Sequence, residues 1–276
     1  MSRRSALPGF GLSFGTTVAV LGLVVLLPLA MLAVKSAELG LGDIVRLATT
    51  PRALAAYGLT FGASLAAALV DTVFGIAIAY VLVRYEFPGK SLLDAFVDVP
   101  FAVPTAVSGI ALTTLYAPGG WIGRVASVFG VQIAYTRLGV AVALVFVSLP
   151  FAVRTIQPVL AELEPEMEES AATLGAGRLI TFVRVILPNL IPPALTGFTL
   201  AFARAIGEYG SVVFIAGNMP GKTEIAPLLI MTKLEQFDYA GATSVALVLL
   251  AASFVLLLSV NRLGAWTRRR AGLVHA

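Results

Sequence analysis

EPEMEESAATLGAGRLITFVRVILPNLIPPAL, from Glu164 to Leu195, is a polar interruption in a chain otherwise built from apolar windows. Pro165 suits the opening of a helix, and Glu166, Glu168 and Glu169 complement the positive end of a helix macrodipole. Ser170, Ala171 and Ala172 keep that helix narrow, and Gly175 permits the left-handed conformation that ends one. A second short helix is predicted from Arg178 towards Leu187, broken at Pro188. The product is a helix–turn–helix parallel to the membrane and outside the lipid, within residues 162–188. A helix this acidic is repelled by an anionic leaflet, so its surface suits a protein partner better than headgroups.

The rest of the chain supplies the membrane. Of its 276 residues 58% are hydrophobic and 12% charged, with a mean hydropathy of +0.94. That is about half the charge of a soluble domain, where roughly 25% is usual. No charged residue lies between Arg4 and Lys35, and only Asp71 interrupts the stretch from Arg52 to Arg84. Further charge-free windows run from Asp98 to Arg124, Arg137 to Arg154, Arg184 to Arg204 and Asp238 to Arg262. Their lengths match helical crossings of a bilayer core about 30 Å thick. The short alternating segments of a membrane barrel are missing.

The expected fold is therefore all-α and polytopic, a single membrane domain over residues 1–276 with the polar loop inside it. Six spans are predicted near Gly15–Val34, Tyr57–Val83, Val99–Tyr116, Leu138–Ile156, Leu190–Ala216 and Ala242–Leu263. The first reads as a retained span, because its apolar run exceeds the roughly 7–15 residues of a signal-peptide core. An even number puts both termini on one face. That face carries Arg3, Arg4, Arg84, Lys90, Arg154, Arg178, Arg184, Arg262 and Arg268–Arg270; the opposite face carries Lys35, Arg46, Arg52, Arg124, Arg137, Lys222 and Lys233. The positive-inside rule then predicts cytoplasmic termini. It also accounts for the basic pI near 9.6 without nucleic acid. With no cysteine and a single His275 near the chain end, thiol or histidine catalysis and Cys-ligated metals are excluded. No catalytic residue, metal site or bound cofactor is expected, and the only other surface implied is membrane lipid.

Glu169-Ser170-Ala171, Gly175 and Val185-Ile186-Leu187-Pro188 reproduce a spaced pattern: Glu-Ala-Ala, three residues, Gly, nine residues, then Ile-x-Leu-Pro. On it the chain resembles the inner-membrane permeases of bacterial ABC importers. Ser170 and Val185 depart from the pattern, conservatively in size. Residues 59–90, 203–230 and 233–243 further resemble the T-type permeases of sulfate/thiosulfate importers. The resemblance implies a type I importer fold, a multi-pass protein of the bacterial inner membrane, and a loop that forms a coupling helix seated on an ATPase. Glu168, Glu169, Ser170, Ala171, Gly175, Leu187 and Pro188 would be the docking residues. It further implies a heterodimer with a W-type permease, two ATP-binding subunits that consume ATP and Mg, and a periplasmic binding protein for the anion. A molybdate or tungstate permease, which shares the Arg-Ala-x-Gly-Glu core at Arg204–Glu208, is the alternative. A gradient-driven secondary anion transporter fits less well, because membrane carboxylates are few and no internal repeat is visible.

Asp71, Arg204 and Glu208 fall inside predicted spans, where an ionised side chain costs about 2.5–3.5 kcal/mol and so faces protein or water. Arg204 and Glu208 are four apart and can pair on one helix face. With Asp71 and Pro104 they are candidates for the translocation path, the competing role being helix packing. Pro100 and Pro104 should break or kink the third span, and Gly58, Gly62 and Gly75 allow close helix approach. Trp121 should sit at a membrane interface.

Gly217–Glu224, GNMPGKTE, looks like a nucleotide loop but has three residues, not four, before Gly221-Lys222-Thr223. It follows a span rather than a strand, and Pro227 is expected to disturb the helix a phosphate cradle needs. Asn218 and Lys222 are instead candidates for the periplasmic mouth of the path.

Overall fold

The computed structural model describes residues 10–270; of the side chains beyond Val260 it describes only that of Arg262. Arg3, Arg4 and His275 lie outside the described residues, and so do the side chains of Arg268, Arg269 and Arg270. Among the described residues twelve helices follow one another: α1 (Phe10–Ala37), α2 (Leu41–Ala48), α3 (Pro51–Arg84), α4 (Lys90–Ala102), α5 (Thr105–Tyr116), α6 (Trp121–Val128), α7 (Arg137–Glu162), α8 (Glu166–Thr173), α9 (Arg178–Ile206), α10 (Val212–Ile215), α11 (Ala226–Glu235) and α12 (Tyr239–Arg270). No strand occurs among the described residues. Five of the helices, α1, α3, α7, α9 and α12 (to Val260), are long and apolar enough to cross a membrane, and α4 with α5 makes a sixth, bent crossing.

The bundle is organised around α7. Just over half (56%) of its most apolar window is buried, against none of α1's, so α7 is the central post and α1 an outlying one. Helices α3 and α9 pack on it at the same level, because their glycines leave no side chain in the way. A Cβ at Gly75 would come within 2.9 Å of the Ala152 Cβ, and one at Gly197 within 3.0 Å of the Ala152 Cα. Small-residue contact of this kind replaces hydrophobic driving force inside lipid. Gly58 and Gly62, expected to serve the same purpose, face open space instead. Around the contact, Ala79, Leu82, Val153, Ile156, Leu160 and Leu190 form one buried cluster, and Val140, Leu144, Val212 and Ile215 belong to a second.

Caps explain where the two central helices begin. The Thr50 hydroxyl accepts from the Ala53 amide at 3.3 Å ahead of Pro51, and the Thr136 hydroxyl accepts from the Leu138 amide at 3.2 Å. Both helices start at the same end of the bundle.

Three expectations need correcting. The third span begins at Lys90 rather than near Val99, and it is broken as its prolines suggest, turning by 115° between α4 and α5. Pro104 forces this, since its ring disfavours helical geometry at Val103, which is extended at φ −93° and ψ 131°. Pro100 sits inside α4 without breaking it. The fifth span ends at Ile206 rather than Ala216, where Gly207 closes α9. Pro188 does not break the second loop helix. The ladder widens to a π turn at Phe182–Ile186, the Leu187 amide reaches back to the Phe182 carbonyl, and α9 continues through Pro188.

Candidate functional site

The polar loop is built from α8, a tight turn and the start of α9. Glu166, Glu168 and Glu169 fill the first turn of α8, beside its unpaired amides. The helix closes in a Schellman arrangement: the Gly175 amide bonds the Ala172 carbonyl at 2.9 Å and the Ala176 amide bonds the Ala171 carbonyl at 3.0 Å. Gly175 takes φ +81°, the left-handed geometry expected of it.

One face of this loop is tied to the bundle. The Arg84 guanidinium, at the last turn of α3, donates through Nε to Glu168 Oε1 at 2.7 Å and through Nη2 to the Leu163 carbonyl at 2.9 Å. Ala171 is buried against the body, and the aromatic ring of Tyr80 meets Phe182 edge-on with centroids 5.3 Å apart. Glu168 is thus held inside the chain. The other face is open: Glu169, Ser170 and Gly175 are exposed, and Leu174 and Leu179 are 88% and 76% exposed. Acidic and aliphatic side chains stand together on that surface. Leu187 and Pro188 belong to α9, one half-buried and one exposed.

Next to the loop, Arg154 of α7 grips α4. Its Nε and Nη2 hold the Asp98 carboxylate at 2.8 and 2.6 Å, and its Nη1 reaches Asp94 Oδ1 at 2.6 Å. Nothing in the sequence paired these residues. The i, i+4 spacing of Asp94 and Asp98 on one helix face was the available signal.

The charges predicted inside the spans separate into two environments. Asp71 has no exposed surface; it lies between α3 and α7 with Ser148 Oγ 2.5 Å from its Oδ2. It packs helices and does not line an open path in this conformation. Arg204 and Glu208 pair at 2.6 Å, although Glu208 lies in the turn just beyond α9 rather than on the helix. The other oxygen of Glu208 accepts from the Ser211 amide and hydroxyl at 2.8 and 2.9 Å and starts α10. Glu208 is therefore consumed, and only Arg204, 30% exposed, reaches a surface. Pro104 is exposed at the bend.

At the end where α3 and α7 begin, Gly217–Glu224 folds back on itself. The amides of Lys222, Thr223 and Glu224 all point to the Met219 carbonyl, at 3.0–3.2 Å, so none is free to cradle a phosphate. Glu224 is buried and held in a fork by Arg52, with both contacts at 2.7 Å. Asn218 takes φ +54° and donates to the Val213 carbonyl, while the Lys222 side chain is exposed. Pro227 does not disturb the next helix. It lies in the first turn of α11, where a missing amide hydrogen costs nothing. Trp121 is 83% exposed at the start of α6.

Residues 71–272 match the family model described as "Binding-protein-dependent transport system inner membrane component". The chain belongs to this permease family. The permease is 54% identical over 271 residues to the "Sulfate transport system permease protein CysT" of Synechocystis sp., covering 98% of this chain and 95% of that one. It is 46% identical over 270 residues to the protein of that name from Escherichia coli (strain K12), covering 98% of each. Among solved structures, the permease resembles a chain of a bacterial ABC transporter for import of the acidic polysaccharide alginate, with a TM-score of 0.75 at 16% identity over 93% of this chain and 94% of that one. A chain of the MetNI methionine ABC transporter matches with a TM-score of 0.56 at 15% identity, covering 76% and 93%. These two likenesses concern the fold, and both are to chains of ABC transporters. Among the described residues of the permease, no group of three or more His, Cys, Asp or Glu could hold a metal.

Proposed function

We propose that the chain is the membrane subunit of an ATP-driven importer that carries sulfate, and thiosulfate by the same path, across a bacterial inner membrane. What carries the transport role is the divided loop at α8: Arg84 clamps one face to the bundle while Glu169, Ser170, Leu174 and Gly175 stay open to a partner. The substrate rests on 46–55% identity to proteins named sulfate transport permeases.

The open face docks on an ATP-binding subunit that owns the nucleotide and Mg chemistry. Glu168, Ala171, Leu187 and Pro188 set the loop's position, and Glu169, Ser170 and Gly175 make the contact. Closure of two such ATPases pushes α8, and Arg84 hands the motion to α3 as a rigid link. A W-type permease completes the path, a periplasmic binding protein delivers the anion, and both termini face the cytoplasm. Arg204, with its charge balanced by Glu208, borders the path: a lone cation would trap a dianion rather than pass it. Pro104 provides the bend at which α4 and α5 move relative to one another. Asn218 and Lys222 lie at the periplasmic mouth. The chain itself breaks no covalent bond.

The test is reconstitution of the chain with the partner permease, ATPase and binding protein, and measurement of ATP hydrolysis with sulfate, thiosulfate, molybdate and tungstate. Stimulation by sulfate that disappears without the binding protein is expected. Stimulation by molybdate alone, or uptake driven by an ion gradient without ATP, would replace this reading.

A further inference from the structure

On the side of the bundle where α3 and α7 begin, most cations are already neutralised. Lys35 pairs with Glu38, Arg46 with Asp43, Arg52 with Glu224 and Lys233 with Asp238. Arg137 and Lys222 have no acidic partner among the described residues, and the fold brings these two together across 85 positions of sequence. The Arg137 Nε donates to the Lys222 carbonyl at 2.9 Å. That bond turns the base of the guanidinium towards the folded-back loop, and among the described residues neither terminal nitrogen has a protein acceptor.

Beside Arg137 is a cavity of about 400 Å³, walled by Gly58, Gly62 and Ala63 of α3 and Ala141 of α7. A Cβ at Gly58 or Gly62 would meet nothing within 4 Å, so the glycines here are not spent on helix contact. They widen a recess instead. Arg137 is also the first residue of α7, and the positive end of that helix adds to its field. Small apolar walls with a guanidinium at the rim, and the backbone of an exposed lysine bonded to that guanidinium, suit a compact anion with several acceptor oxygens. They offer little to a large or neutral solute.

We infer that Arg137 and Lys222 form a receiving site for a tetrahedral oxyanion, above the recess at Gly58 and Gly62. This rests on the sulfate reading and extends it: the permease has an anion site of its own, separate from Arg204. Both cations are exposed, so the site holds its ion loosely and releases it inward, as a path requires. A protein partner with an acidic patch is the competing occupant, but it would leave the recess empty.

Sulfate uptake by proteoliposomes of the full complex, supplied with saturating binding protein, tests the inference. Arg137→Gln together with Lys222→Gln is expected to lower uptake at least tenfold at low sulfate, with partial recovery in Arg137→Lys. Gly62→Leu, which fills the recess and keeps both charges, should lower uptake as well. Lys222→Gln alone lies on an exposed loop and keeps the test open if the Arg137 variants fail to assemble; it should give a several-fold loss. Undiminished uptake in the double variant or in Lys222→Gln overturns the site. So does a loss explained wholly by weaker docking of the binding protein, measured separately on the same vesicles. Failure of the unmodified complex to take up sulfate at all would instead overturn the substrate reading.

Discussion

The loops at Glu166–Ala176 and Gly217–Glu224 are both polar, both glycine-marked, and both lie beside long membrane helices, yet they spend their polar groups in opposite ways. The first closes its backbone with two turn hydrogen bonds at Gly175 and leaves its outer side chains free. The second aims three amides at one carbonyl and buries its acid, Glu224, in a fork with Arg52. A loop with free side chains is available to a partner, whereas the amides and the acid of the second loop are consumed in holding its shape and only Lys222 is left exposed. The difference teaches that Glu and Lys counts alone do not separate a docking surface from a structural pin. What separates them is whether a distant residue has claimed the charge.

The largest effect is expected at the pin. Arg52→Ala leaves the Glu224 carboxylate buried and unpaired, which costs about 3 kcal/mol for a pair of this kind. The variant should melt well below the unmodified chain in the same detergent; an unchanged melting temperature would show that the loop is not held by this pair. At the docking loop, Arg84→Gln removes a charged hydrogen bond to Glu168 and should cost about 1.5–3 kcal/mol of local order. Its reading is different, since hydrogen exchange in α8 should rise while melting of the whole bundle moves little. Equal changes in both would mean that the loop is part of the core.

Gly175→Ala imposes the left-handed penalty of about 1–2 kcal/mol with no steric clash, because nothing lies within 4 Å of a new Cβ. Co-purification with the ATPase should fall by about tenfold, with insertion into the membrane intact. A bulkier Gly175→Val should abolish it, and normal co-purification of that variant would refute the docking role. The smallest effect concerns Asp238, whose carboxyl is lowered below its ordinary value by Lys233 and then by the Gly241 amide. A lowered folded value stabilises the protein above the unfolded value of 3.8 and loses that contribution as pH falls below it. Asp238→Asn should therefore lower the melting temperature slightly at neutral pH, flatten the acid limb of the melting curve, and converge with the unmodified chain at low pH.

Much of the fold was legible because lipid imposes a simple rule: charge-free windows of sufficient length must be helices. Asp71 alone in a long apolar stretch, the acidic turn at Glu166 and the helix stop at Gly175 all follow from local chemistry. The prolines of the third span signal a break or kink, but hydropathy has no memory of direction, and the 115° turn depends on the conformation that Pro104 imposes on Val103. Pro188 was read as a breaker because propensity assumes an α ladder, and the π turn before it had already displaced that ladder.

The sequence by itself determined a helical membrane protein with one polar loop shaped for a partner, since burial in lipid and helix capping act over a few residues at a time. Only the tertiary structure decided which charges remained available. Glu168 is claimed by Arg84, Asp94 and Asp98 by Arg154, and Glu224 by Arg52, across separations of 84, 60, 56 and 172 residues. An ion pair between distant positions is a property of two places in space, and along the chain its members carry no sign of one another, unlike Arg204 and Glu208 at four-residue spacing. That same fact left Arg137 and Lys222 unclaimed by any acid among the described residues, and joined the Lys222 backbone to Arg137 at the edge of a recess.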